Sequence, residues 1–150
     1  MKRQRKKYER PRKPWDKERI LREREILKTF GLRRKKEIRR AEALLRKYRR
    51  MARELAAKKD MEKEKMIVKK LANFGLLQEN ASLDDILSLT LENVLERRLQ
   101  TVVFRKGLST TAKQARQLIV HGKVRFNDRK NIYPSYLVKK EEEDKIQVIK

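Results

Sequence analysis

Along this chain the period of the apolar residues changes once: up to about residue 120 they recur at steps of three and four, and after Gly122 they alternate. The clearest stripe is Ile38, Ala41, Leu45, Tyr48, Ala52 and Leu55, which predicts a long helix with one buried face. Ahead of it, Asp16 is placed to cap a helix running to about Phe30, with Ile20, Leu27 and Phe30 on one side and Gly31 just past its end. Behind it, Asp60 to Phe74 continues helical, with Ile67, Leu71 and Phe74 apolar. Ser82 with Asp85 and Thr90 with Asn93 are capping signals for a short helix and then a longer one reaching about Lys106. In that longer helix Leu95, Leu99, Val102 and Val103 face inward, while Arg97, Thr101 and Arg105 share another face. A further helix, about Thr111 to Val120, buries Ala112, Ala115, Leu118 and Ile119 and leaves Lys113, Arg116 and Gln117 open. Then Val124 and Phe126 alternate with Lys123 and Arg125, and Asn127-Asp128 supplies a turn. Ile132 to Val138 and Ile146 to Ile149 read as further short strands around an acidic turn, Glu141 to Asp144.

These elements predict a mostly α protein with a small C-terminal α+β domain: a basic extended arm (1–15), a helical region (16–90), then two helices on a small antiparallel sheet (91–150). Charge sharpens the picture. The chain carries 44 Lys and Arg against 21 Asp and Glu, a formal +23, and would repel itself without a polyanion to supply counter-charge. Residues 1–59 hold 26 of the basic side chains and 8 of the acidic ones, so the first third grips phosphate hardest. The arm has eight basic residues and two prolines in its first 14 positions and cannot bury enough surface to order itself.

Several chemistries drop out. There is no cysteine and a single histidine, His121, so neither a disulfide nor a Cys/His metal site can be built, and no cofactor is expected. All four glycines fall at helix ends, leaving none for a phosphate-cradling loop and making nucleotide hydrolysis an improbable task. No apolar run approaches the roughly 18 residues of a membrane span, and none of signal-peptide type follows Lys2 to Arg12, so a soluble, intracellular protein is expected. Trp15, beside Pro14 at the arm's junction, is expected to anchor the arm to the helical core, with stacking on a nucleotide as the alternative, and Tyr48 to lie in the core rather than stack on a base. His121 is expected to pack at a helix end or touch phosphate, and Glu141 to Asp144 to form an exposed turn rather than a metal site.

The stretch ERRLQTVVFRKGLSTTAKQARQLIVHGKVRFN, Glu96 to Asn127, resembles the RNA-binding domain named after small-subunit ribosomal protein four, and the likeness continues through Tyr133-Pro134-Ser135-Tyr136-Leu137-Val138. That domain also occurs in pseudouridine synthases, a tyrosyl-transfer-RNA synthetase tail and a heat-shock protein. The segments KRQRKKYERPRKPW, FGLRRKKEI and SLDDILSLTLENVLERRLQ resemble the archaeal and eukaryotic form of the ribosomal protein family itself, extending the likeness to nearly the whole chain. The resemblance implies a cytoplasmic, non-enzymatic constituent of the small ribosomal subunit. Its partners would be small-subunit ribosomal RNA and neighbouring ribosomal proteins, with no membrane and no small-molecule substrate. It would help nucleate assembly, beside the channel by which messenger reaches the subunit. A related nucleolar ribonucleoprotein subunit acting in pre-ribosomal RNA processing is the alternative, and the KRQRKKYE arm argues against it.

Carried over by position, RNA contact falls on Arg97 and Arg98, on Lys113, Arg116 and Gln117, and on His121, Lys123 and Arg125. Arg105 joins them from its helix face. Charge adds Lys2, Arg3, Arg5, Lys6 and Lys7 of the arm, and Arg33, Arg34, Lys35, Arg39 and Arg40 around the start of the long helix. Packing beneath Lys113 and Arg116 is expected to hold them rigidly at the RNA side, so that Arg116→Ala weakens binding without disturbing the fold, and far more than Lys6→Ala does.

Overall fold

The computed structural model describes residues 6–78, 80–126 and 129–149. The chain is mostly α, with one small sheet near its end. Asp16 accepts a hydrogen bond from the Arg19 amide and starts α1, Lys17–Thr29. The turn that follows runs through Gly31, whose φ of +58° suits a residue without Cβ. Then α2, Lys35–Lys58, buries Ile38, Ala41, Leu45, Tyr48, Ala52 and Leu55, the stripe read from the sequence.

Helix α3, Met61–Asn73, is a separate element rather than a continuation: Lys59 adopts a left-handed backbone and Asp60 caps the new start through the Lys63 amide. Its buried residues are Val68, Leu71 and Ala72, so the face is rotated from the expected Ile67 and Phe74, which are half-buried. Ser82 and Asp85 form the expected reciprocal cap of α4, Leu83–Ser88, and Thr90 caps α5, Leu91–Glu96.

The long helix expected up to Lys106 is broken. α5 ends at Glu96, Arg98 is extended with ψ 140°, and α6 begins afresh as Leu99–Arg105. The cause lies far along the chain. The Leu99 amide donates to the Tyr136 carbonyl at 2.7 Å, and the Val138 amide donates to the Arg97 carbonyl at 2.9 Å. Residues 132–138 therefore spend their backbone groups on this break, as one bridge between Arg98 and Leu137, and do not form the strand that their pattern suggested. With the helix interrupted, Thr101 does not share an outer face with Arg97 and Arg105: it is buried, and its hydroxyl donates to the Leu95 carbonyl.

Thr111 caps α7, Ala112–Val120, in which Ala115 and Ile119 are buried while Ala112 and Leu118 are only half-covered. The sheet has the order β2-β1-β3, with β1 (Val124–Phe126) central between β2 (Arg129–Lys130) and β3 (Ile146–Val148), both pairings antiparallel. The Asn127-Asp128 turn lies outside the described residues. Glu141 to Asp144 is not a loop turn, because Lys140–Glu143 winds into a short helix, α8.

Two apolar cores result. The first joins α1 to α5 through residues such as Ile38, Leu71, Ile86 and Leu95; the second joins α6, α7 and the sheet through Leu99, Val103, Ile119, Val124 and Val138. Among the described residues no helix is long and apolar enough to cross a membrane.

Candidate nucleic-acid interface

Between the two cores lies a polar seam, and it fixes how the basic residues are presented. Gln100 is fully buried, and its amide nitrogen donates to the carbonyls of Phe30, Gly31 and Ala112, tying the α1–α2 turn to the start of α7. One turn into α2, Glu37 accepts Arg98 at 2.7 Å and Arg116 at 3.0 Å, and its other oxygen takes the Arg34 amide. Burial pushes the Glu37 carboxyl up, but the hydrogen bonds from Arg116 and Arg98 outweigh it and hold the pKa below its ordinary value. Burial lowers the Arg98 guanidinium despite Glu37, yet a guanidinium stays charged at any physiological pH. A single carboxylate thus bridges two arginines from the second half of the chain to the long helix of the first.

That network sorts the nominated residues. Arg98 is buried, and Arg97 is turned inward onto Glu143 at 2.7 Å and the Val138 carbonyl at 3.1 Å. Lys35 pairs with the buried Glu23, and Arg105 with Glu96. Arg116 keeps an exposed flank but is held by Glu37, so its removal would also disturb the seam, contrary to the expectation of an undisturbed fold. Arg34 and Arg33 are exposed at the start of α2, and Arg40 follows one turn on from Glu37. Arg40, Lys113 and Lys123 are exposed and make no ion pair among the described residues. Gln117, His121 and Lys123 gather around a shallow concavity with Leu118 at the far end of α7.

Arg39 and Arg125 are half-buried, and the Nε of each is covered without a hydrogen-bond partner among the described residues. Lys6 and Lys7 are exposed and lie with Tyr8 and Glu9 along α2, where Glu9 pairs with Arg46 at 3.0 Å. Lys2, Arg3 and Arg5 lie outside the described residues.

Tyr48 is in the core, where burial raises its pKa. Trp15 is not an anchor: it is 90% exposed, and the arm is fastened instead by Arg19, which donates to the carbonyls of Lys13 and Pro14. The place of Trp15 beside Pro14 at the junction suggests an anchor, but the backbone carbonyls there offer a charged donor the hold instead. His121 caps the end of α7 with its ring exposed. The acidic cluster is a set of paired groups: Glu142 accepts the Tyr136 hydroxyl and the Lys139 amide, Glu143 takes Arg97, and Asp144 takes Lys106. No group of three or more His, Asp or Glu among the described residues is placed to hold a metal ion.

Glu37 and Gln100 escaped the sequence reading, although both left a trace. Glu37 is the sole acid among six cations between Arg33 and Arg40, and Gln100 is an amide beside the apolar Leu99, Val102 and Val103.

Compared with known proteins, residues 97–144 match the family model of the S4 domain. Small ribosomal subunit protein uS4 of Nanoarchaeum equitans is 51% identical over 152 residues, 98% of this chain and 84% of the relative. The protein of that name from Korarchaeum cryptofilum is 50% identical over 97% of this chain and 89% of its own length. The one from Picrophilus torridus is 47% identical, over 95% and 81% respectively.

Proposed function

We propose, from the premise that this chain belongs to the uS4 family of small ribosomal subunit proteins, that it is a non-catalytic constituent of that subunit which binds small-subunit ribosomal RNA directly. The observation that carries the reading is geometric. Cations without acidic partners among the described residues, Arg40 on α2 and Lys113 on α7, ride on two helices that Glu37 holds in one frame through Arg116 and Arg98. Folded RNA is recognised largely by its backbone and shape, and fixed cations lose little entropy on meeting fixed phosphates.

The RNA-contact set in this reading is Arg33, Arg34, Arg40, Lys113, Gln117, His121 and Lys123, with the flank of Arg116. Lys2, Arg3, Arg5, Lys6 and Lys7 add a basic segment that neutralises further phosphates. Arg97 and Arg98 act by shaping this surface rather than by touching RNA. A cytoplasmic location in the ribosome, neighbouring ribosomal proteins as partners, and a part in nucleating assembly belong to the same reading. The experiment is sedimentation: the protein should remain with small subunits through a high-salt wash, and its release in that wash would overturn the reading.

A further inference from the structure

Arm, long helix and second half of the chain meet around an open groove of about 460 Å³ that no nominated set explains as a whole. That volume lies within the range of sites for one small molecule. Its floor is apolar: Val94 is buried, and Leu44 and Leu137 are half-buried and packed on the first core. Its rim is cationic. Lys7, Arg40 and Lys47 stand around the opening, all exposed and without an ion pair among the described residues. Glu37 also reaches the wall, but its charge is already answered by two guanidiniums. The groove therefore presents net positive charge above aliphatic surface.

We propose that this groove receives one unstacked nucleotide of the bound RNA, its base on Leu44, Val94 and Leu137 and its phosphates on Lys7, Arg40 and Lys47. A splayed base needs an apolar surface to cover its face and cations beside it for the backbone; here α2, α5 and the segment before α8 supply the floor, and Arg40 and Lys47 stand two turns apart on α2. A purely electrostatic grip would not need the floor, and an apolar partner segment would not need three unanswered cations at the rim. The proposal rests on the RNA-binding reading above.

The test follows the methyl signals of Leu44, Val94 and Leu137 in the full chain on addition of a small-subunit ribosomal RNA fragment, with inorganic polyphosphate as a charged control lacking bases. A base over the floor moves these methyls upfield by its ring current, which polyphosphate cannot do. Ala43 lines the same groove, and Ala43→Leu fills it without changing charge or helix preference. The variant should bind the RNA about fivefold more weakly, the low end of what one packed base contributes, while its polyphosphate affinity is unchanged and its methyl spectrum shows a folded chain. Tight RNA binding with methyl shifts equal to those in polyphosphate overturns the groove and leaves the RNA reading standing. RNA held no better than polyphosphate would overturn that reading and the groove with it.

Discussion

Replacing Glu37 with Gln removes the carboxylate that answers both Arg98 and Arg116, leaving both guanidiniums at the seam between the two cores. The side chains of Arg98 and Glu37 keep only 6% and 12% of their exposure, whereas Arg116 keeps 25%. Breaking a fully buried pair by removing one partner costs roughly 3–5 kcal/mol. Water reaching the open flank of Arg116 recovers part of that, and the Gln oxygen still accepts one bond, so about 2–3 kcal/mol of stability should be lost.

Urea unfolding at neutral pH, followed by circular dichroism, measures the loss. Combining Glu37→Gln with Arg116→Met isolates the pair, since the double variant should lose less than the sum of the singles. Acid supplies an independent check. Because the folded pKa of Glu37 lies below its ordinary value of 4.5, its contribution is complete above that value and disappears as pH falls through the folded pKa. The gap between wild type and Glu37→Gln should therefore close in that acid window. A loss under about 0.5 kcal/mol at neutral pH, the range of ordinary surface changes, would refute the claim that this carboxylate joins the two halves.

Gly31→Ala should be damaging as well, by about 2 kcal/mol or more: φ is +58°, and the new Cβ would lie 2.8 Å from that of Ala112, beside Gln100. Thermal unfolding checks it, and a neutral result would mean that the turn is loosely held. Filter binding at one moderate salt concentration should find Lys113→Ala weakened by about 1–3 kcal/mol toward ribosomal RNA and Lys6→Ala by much less, since a helix-borne cation is already ordered; equal effects would shift the contact map toward the arm. Affinity for that RNA should fall with salt by roughly 0.7 to 0.9 in log–log slope per neutralised phosphate, and a flat titration would remove charge as the grip. Elemental analysis of the purified protein should find no stoichiometric zinc.

Local chemistry determined much of this protein before any folding was considered. The caps at Asp16, Ser82 and Thr90, and the six-residue stripe of α2, are set by groups three or four positions apart, so the sequence states them directly. The same holds for the overall excess of cations and for the resemblance carried by Glu96 to Asn127. What escaped were the backbone and ion-pair contacts made by distant partners, although the antiparallel sheet was legible. The helix break at Arg98 is paid for by carbonyl and amide groups of Tyr136 and Val138, and no periodicity around Arg98 announces it. Arg97, Arg98 and Arg116 look like outward cations on a helical wheel, yet partners 46, 61 and 79 residues away draw them into ion pairs. Trp15 looked like an anchor and stays in solvent. Periodicity records which side of an element is apolar; which of its charges remain free for RNA depends on where the rest of the chain places the few acids, and only the tertiary structure decides that.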